Sequence, residues 1–249
     1  MHRTRQRVIT WGLRVLLVAA IIGGWLYATG PARVSPLLLP KVSQVVSNLG
    51  TLLTSHELWS GAGVTVLEIV IAFAFSVAGG FTVGFWASRS RLRTVTVEPL
   101  LAWGYMAPLI VFYPLFILWF GVGMWSKIGY GAVSGFLPVA YNTVRGFRSV
   151  DARYIRVGTA FGASPMQLDW VVKLGASLPM VLAGIRIGTA INVITVILAE
   201  MLSATRGLGY ELSQAAQLLN AGTSYALIVI LLVIVACFQG LIQRITRRR

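Results

Sequence analysis

The chain reads as an all-α membrane protein of about six transmembrane helices. Hydrophobic residues make up 57% of it and charged ones only 11%. The mean hydropathy is +0.79. The apolar residues gather into runs of roughly 20, the length a helix needs to cross a hydrocarbon core of ~30 Å. At 249 residues, one helical bundle accounts for the whole chain.

The runs fall at 8–28, 63–87, 100–121, 125–147, 178–203 and 225–243. Pro108 and Pro114 in the third and Pro138 in the fourth predict kinked helices whose freed carbonyls find partners inside the bundle, because lipid offers none. The first run has the basic start and apolar core of a secretory signal, yet it is long and no clear small-residue cleavage site follows. An uncleaved first span is expected.

Basic residues set the orientation. Arg3, Arg5 and Arg7 precede the first run, Arg89, Arg91 and Arg93 follow the second, and Arg145, Arg148, Arg153, Arg156 and Lys173 follow the fourth. Arg244 and Arg247, Arg248 and Arg249 follow the sixth, whereas the opposite loops carry only Arg33, Lys41, Lys127 and Arg206. Six spans with both termini in the cytoplasm satisfy the positive-inside rule. The net charge of +14 then reflects orientation and anionic headgroups, not a nucleic-acid surface.

Enzyme chemistry is poorly provided for. Cys237 is expected buried in the last span, and His2 and His56 lie near or outside the membrane edges, so no metal cluster or disulfide can be assembled. The three lysines follow Pro40, Ser126 and Val172, which excludes a phosphate-cradling Gly-Lys-Ser/Thr loop. Any ATP must be hydrolysed by another subunit. Gly80 with Gly84, Gly131 with Gly135 and Gly184 with Gly188 have helix-packing spacing, and one pair could instead sit at a moving interface. Trp11, Trp25, Trp59, Trp86 and Trp119 suit interfacial anchoring.

The polar stretch 151–179 interrupts the apolar pattern. Asp151 can cap a short helix with Tyr154, Val157 and Phe161 at helical spacing, and Gly162 fits its stop. Ser164 followed by Pro165 is a second start, leading to Leu168, Val171 and Val172. Two readings of this helix-turn-helix stand open on periodicity: a docking element, or an amphipathic connector resting on headgroups.

The residues themselves carry a resemblance. Phe161-Gly162-Ala163-Ser164, Gln167, Leu174 and Leu178-Pro179, with Leu182-Ala183-Gly184-Ile185-Arg186-Ile187-Gly188, resemble the cytoplasmic loop of permease subunits of bacterial ABC importers. Leu38-Leu39-Pro40, the run from Pro114 to Gly121 with Gly123, Ser149-Val150-Asp151, Ala199-Glu200-Met201-Leu202 and Gly207-Leu208-Gly209 extend the likeness, which is strongest to the aliphatic sulfonate, taurine and nitrate branch. That branch also takes up aromatic acids and thiamine-precursor pyrimidines.

The resemblance implies a type I importer fold like that of MetI, with an N-terminal helix and extracytoplasmic loop over 1–60, a permease core over 61–245 and a coupling loop over 150–179. It implies a bacterial inner-membrane protein that binds no cofactor and works with a second copy of itself, two ATPase subunits holding ATP and Mg, an extracytoplasmic solute-binding protein and lipid. Asp151, Arg153, Arg156, Val157, Phe161, Gly162, Ala163, Ser164 and Gln167 would meet the ATPase. Thr189, Asn192 and Thr195 form a polar stripe on the fifth span, which in the family lines the translocation path; Tyr105, Met106 and Tyr113 are further candidates for that lining. Cross-helix hydrogen bonding would explain the stripe equally.

Departures from the family pattern matter. The usual Glu-Ala-Ala of the loop reads here as Arg156-Val157-Gly158, and Gly175 stands where a proline is expected. Either the ATPase offers a compensating acid, or Asp151 and Asp169 carry the polar contact. Glu68 replaces a usual basic residue and is read as a snorkelling or paired carboxylate. Glu200 could pair with Arg206 or gate the path, and Arg186 fits an orienting anchor or a partner for a carbonyl. An ion-coupled secondary carrier and a non-transporting membrane anchor or sensor are the rival functions.

Overall fold

The computed structural model describes residues 2–30, 32 and 34–247. Arg33, Arg248 and Arg249 of the charge count lie outside the described residues, as do the side chains of Arg3, Arg5, Arg7 and Arg247. The described residues form helices and turns only: α1 (His2–Thr29), α2 (Val42–Thr54), α3 (His56–Ser88), α4 (Arg91–Met106), α5 (Tyr113–Phe120) and α6 (Met124–Arg148). There follow α7 (Ala152–Ala160), α8 (Pro165–Gln167), α9 (Leu174–Ser203), α10 (Leu208–Gln217) and α11 (Ala221–Arg247). A π turn over Leu168–Lys173 joins α8 to α9, so Pro165–Ser203 is one continuous helical stretch.

Four helices are long and apolar enough to cross a membrane, or five if the bent pair α4 and α5 counts as one span. The expected count of six is not reached by this measure. The helix that falls short is α6, which has the length at 25 residues but carries Lys127, Arg145, Arg148 and Asn142. Its polar side chains Ser126, Lys127, Ser134 and Thr143 are buried against protein. A helix enclosed by its neighbours does not need to be apolar all round.

The third run is not one kinked rod. Its two halves meet at 87°, across a break at Ala107 and Pro108 and a 3-10 turn over Leu109–Phe112. Ala107 is extended (ψ 140°), as the residue before a proline tends to be. Pro114 lies in the first turn of α5, where its missing N–H costs nothing. By contrast α6 runs through Pro138 without a break.

By internal packing the chain divides into two compact units, Met1–Trp59 with Leu212–Leu231, and Ser60–Glu211 with Leu232–Arg249. In the first, the Trp25 indole donates to the Pro40 carbonyl at 2.8 Å and its ring lies 5.5 Å from that of Tyr225. The outward side chains of α1, among them Trp11, Leu16 and Ile21, are exposed and suit lipid. Cys237, in the second unit, is exposed on α11 and not buried as expected.

The second unit is built on α6 and α9. A Cβ placed on Gly188 would lie 2.7 Å from the Gly135 carbonyl, and one on Gly184 would lie 2.6 Å from Asn142 Cβ. On the other flank of α6, Cβ atoms on Gly80 and Gly84 of α3 would meet Val139 at 2.7 Å and Thr143 at 2.6 Å. All three glycine pairs therefore serve packing, letting backbones close where lipid supplies no hydrophobic drive between helices. Around them Ile69, Ala72, Ile128, Val193 and Val196 form one buried cluster, and Ala87, Leu101, Ala140 and Val144 another.

Gly188→Ala is expected to lower stability by about 1–3 kcal/mol through overpacking against α6. Gly63→Ala, where an added Cβ meets nothing within 4 Å, is the control. Thermal unfolding in detergent checks the difference, and equal effects of the two substitutions would count against close α6–α9 packing.

Candidate functional site

The polar stretch folds as its local signals direct. Asp151 Oδ1 accepts from the Arg153 backbone N–H at 2.8 Å, capping α7, while Oδ2 accepts from Arg153 Nε at 2.8 Å. The Arg153 guanidinium, then its amide, hold the Asp151 carboxyl below its ordinary range. Gly162 takes φ +75°, the left-handed conformation that ends helices, and the Ala163 N–H returns to the Gly158 carbonyl at 3.0 Å. Ser164 and Gln167 cap α8 reciprocally: Gln167 N donates to Ser164 Oγ at 3.3 Å and Ser164 N to Gln167 Oε1 at 2.8 Å.

Gly158 explains part of the departure in this loop. A Cβ there would lie 2.6 Å from Leu168 Cδ2, so a side chain at this position would require Leu168 to shift. The assembly is then bolted to the bundle through Asp169. That buried carboxylate meets Arg89 Nε at 3.0 Å and Lys173 Nζ at 2.7 Å. Beside it the Trp170 ring lies 4.9 Å from Phe85, which in turn meets Phe147 at 5.4 Å.

What stays outside is apolar. Phe161 is 88% exposed, Tyr154 60% and Val157 56%. Arg156 is exposed too and meets no carboxylate among the described residues. The two acids offered as its replacements are occupied, Asp151 by Arg153 and Asp169 by Arg89 and Lys173.

The expected path residues separate. Thr189, Asn192 and Thr195 are all buried and not on an open surface. Thr189 donates to the Ile185 carbonyl at 2.7 Å and Thr195 to that of Ile191 at 2.9 Å, while Asn192 Nδ2 packs over Gly131. Tyr113 is buried as well, donating to the Ala199 carbonyl at 3.2 Å and sharing a short bond with Ser203. Tyr105 and Met106 remain exposed at the end of α4. A nearby groove of about 760 Å³, lined by Phe75, Phe112, Phe116, Trp119 and Trp125 among others, presents no polar surface to a solute.

The unforeseen feature is a buried charged cluster at the far end of the same helices. Lys127 is not a loop residue: it lies in the first turn of α6, buried, 2.6 Å from the carboxylate of Glu68. Glu68 is therefore paired, not snorkelling. Glu200 does not pair with Arg206. It accepts from Thr65 Oγ1 at 2.8 and 3.0 Å and from the Gly209 N–H at 2.9 Å, and the Leu208 N–H donates to Thr65 Oγ1 at 2.9 Å. Gly207, at φ +117°, leaves no room for a Cβ, which would fall 2.5 Å from Glu200 Cδ. The sequence signal was two opposite charges, Glu68 and Lys127, each set within an apolar run where neither could stay alone.

With this geometry in view, comparison with known proteins is direct. Residues 76–249 match the family of binding-protein-dependent transport system inner membrane components. The taurine transport system permease protein TauC of Escherichia coli K12 is 30% identical over 241 residues, covering 95% of this chain and 88% of that protein. The putative aliphatic sulfonates transport permease protein SsuC of Bacillus subtilis 168 is 30% identical over 96% of this chain and 86% of its own length. The formylaminopyrimidine transport permease protein ThiX of Halalkalibacterium halodurans is 33% identical over 70% of each. Structures of the MetNI methionine ABC transporter in inward-facing conformations share the fold, one with a TM-score of 0.67 at 21% identity, covering 77% of this chain and 95% of that one. The chain belongs to the inner-membrane permease family of binding-protein-dependent ABC importers.

Lys127→Met leaves Glu68 buried without its cation and is expected to cost about 3–5 kcal/mol, whereas Glu68→Leu with Lys127→Met restores most of the loss. Melting of the three variants in detergent checks this, and additive losses would count against a direct pair. Because the Asp151 pKa is lowered in the folded chain, its capping contribution is full above the unfolded carboxylate pKa and is lost only as pH falls through the lowered value. Hydrogen-exchange protection factors of α7 amides, corrected for the intrinsic pH dependence of exchange, should thus be flat across neutral pH and fall in acid for the native chain, and be low throughout in Asp151→Ala.

Proposed function

We propose that this permease imports a small organic anion, an organosulfonate foremost, as two copies around one central path in a bacterial inner membrane. Six spans, counting α6, place both termini in the cytoplasm, with the permease core over 61–245 and the coupling loop over 150–179. Burial of Lys127 supports that orientation, because it removes one cation from the outward loops and sharpens the charge asymmetry. The solute class rests on the taurine and sulfonate names of two relatives.

The observation that carries the reading is an anchored α7 whose apolar residues Tyr154, Val157 and Phe161 are exposed, with none of the described residues covering them. A cleft on a cytoplasmic ATPase would receive them, with Arg156 meeting an acid there. ATP and Mg are held by that partner. ATP binding closes the two ATPases, the coupling helices carry the movement through the Asp169 anchor, and the paired bundles switch from inward- to outward-facing. A solute-binding protein then releases its cargo into the path. An ion-coupled carrier needs an accessible ionisable relay, whereas Glu68, Lys127 and Glu200 are all buried and engaged.

Reconstitution with the neighbouring ATPase and binding protein tests this. Vanadate-sensitive uptake is expected, with Phe161→Ser lowering it about tenfold or more while the permease stays folded. Arg156→Glu is expected to act likewise and to be rescued by reversing an acid on the ATPase. Uptake driven by a proton gradient would favour the carrier, and no uptake at all the anchor.

A further inference from the structure

Arg186 lies in α9, seventeen residues before Ser203, or about 26 Å at 1.5 Å per residue. That is close to the thickness of the hydrocarbon core. A guanidinium at that edge favours an anionic partner, and no carboxylate among the described residues forms an ion pair with it. Of the chain's seven acids, Glu68 meets Lys127, Glu98 meets Arg148, Asp151 meets Arg153, and Asp169 meets Arg89 and Lys173. Glu200 is held by Thr65 and Gly209, Glu211 packs beside Gly61, and Glu57 lies in the first turn of α3, at its far end.

Arg186 does have a pocket. Gly175, Leu178, Pro179 and Leu182 follow one another along the same face of α9 and, with Thr246 of α11, enclose about 270 Å³ around it. A side chain on a helix leans toward the N-terminal end, here toward Gly175 and the start of the stretch, so the guanidinium is directed to the nearer headgroup layer. The leucines and the proline make apolar walls. The Thr246 hydroxyl donates to the Ile242 carbonyl at 2.9 Å, and Arg186 is the one charged side chain among the described residues lining the site.

We infer that this pocket binds the phosphate of an anionic phospholipid of the cytoplasmic leaflet, with Arg186 as its ligand and the Leu178 and Leu182 side chains against the start of an acyl chain. The guanidinium fork suits a phosphodiester, and a basic recess between spans at this level suits an anionic headgroup. The leaflet assignment rests on the orientation proposed above; the pocket and its chemistry do not.

The test uses the full-length permease in nanodiscs of phosphatidylcholine, alone or mixed in equal parts with phosphatidylglycerol, with retained lipid counted by native mass spectrometry. Wild type is expected to retain phosphatidylglycerol about fivefold better than Arg186→Gln, the discrimination one basic residue gives near the surface. Arg93→Gln, which removes an arginine lying over the Trp86 ring, should retain it like wild type. Thr246→Asp places a repelling carboxylate at the rim and is expected to lose retention even if Arg186→Gln does not fold. Equal retention by Arg186→Gln or Thr246→Asp and wild type would overturn the proposal, as would an equal loss in Arg93→Gln. A melting shift in pure phosphatidylcholine produced by inorganic phosphate or by taurine, with none from phosphatidylglycerol, would reassign the pocket to a free anion and overturn it too. Both leaflets of a nanodisc carry the same lipid, so a failure of the orientation, read from labelling of the chain ends in oriented vesicles, is distinguishable from a failure of the site.

Discussion

The close approach of α6 to α9 on one side and to α3 on the other is the constraint from which most of this permease follows. Between helices in lipid there is little hydrophobic drive, and association depends on contact distance and on polar groups that would otherwise be stranded. Glycines at 80, 84, 135, 184 and 188 give the distance. Enclosure then gives the polar groups a place: Ser76 can donate to the Ala132 carbonyl at 2.9 Å, and Lys127 can stand inside the bundle beside Glu68. The same enclosure makes α6 look too polar for a span when its composition is read alone.

How much of this was legible depends on how far apart the interacting residues lie. The caps at Asp151 and Ser164 and the stop at Gly162 are contacts within three or four residues, so residue type and spacing contain them. The Pro108 break was half legible: proline announced a disturbance, but its size, a turn of 87°, is set by what α5 packs against, including Tyr113 and Phe116 on Tyr130. The Glu68–Lys127 pair joins residues 59 positions apart on different helices. Lys127 stands at the start of the run 125–147, where an apolar setting signals a need for a partner but local spacing does not say which acid supplies it. Helices α2 and α10 were passed over because they are short and do not stand out against the long apolar runs.

The polar stripe of α9 shows the same limit in another form. Periodicity placed Thr189, Asn192 and Thr195 on one face but could not say what that face meets. In this chain all three are buried, and Asn192 meets α6 at Gly131. The hydroxyls of Thr189 and Thr195 turn back to carbonyls of their own helix, a common resort for such residues in spans, and the Asn192 amide lies against Gly131. Tyr105 and Met106, at the end of α4, are exposed instead.

The departures in the coupling loop take on a physical meaning when they are read together. An alanine at Gly158 would require the Leu168 side chain to shift, so the glycine and the leucine pack as a pair. Arginine in place of the usual glutamate at 156 removes an acid from a loop whose remaining acids are already tied, Asp151 into the cap and Asp169 into the anchor. The surface offered outward is thus apolar and cationic, without a free carboxylate. On the proposed reading, an ATPase that fits this surface would bring the negative charge itself, so that the pairing would rest on matched charge as well as shape.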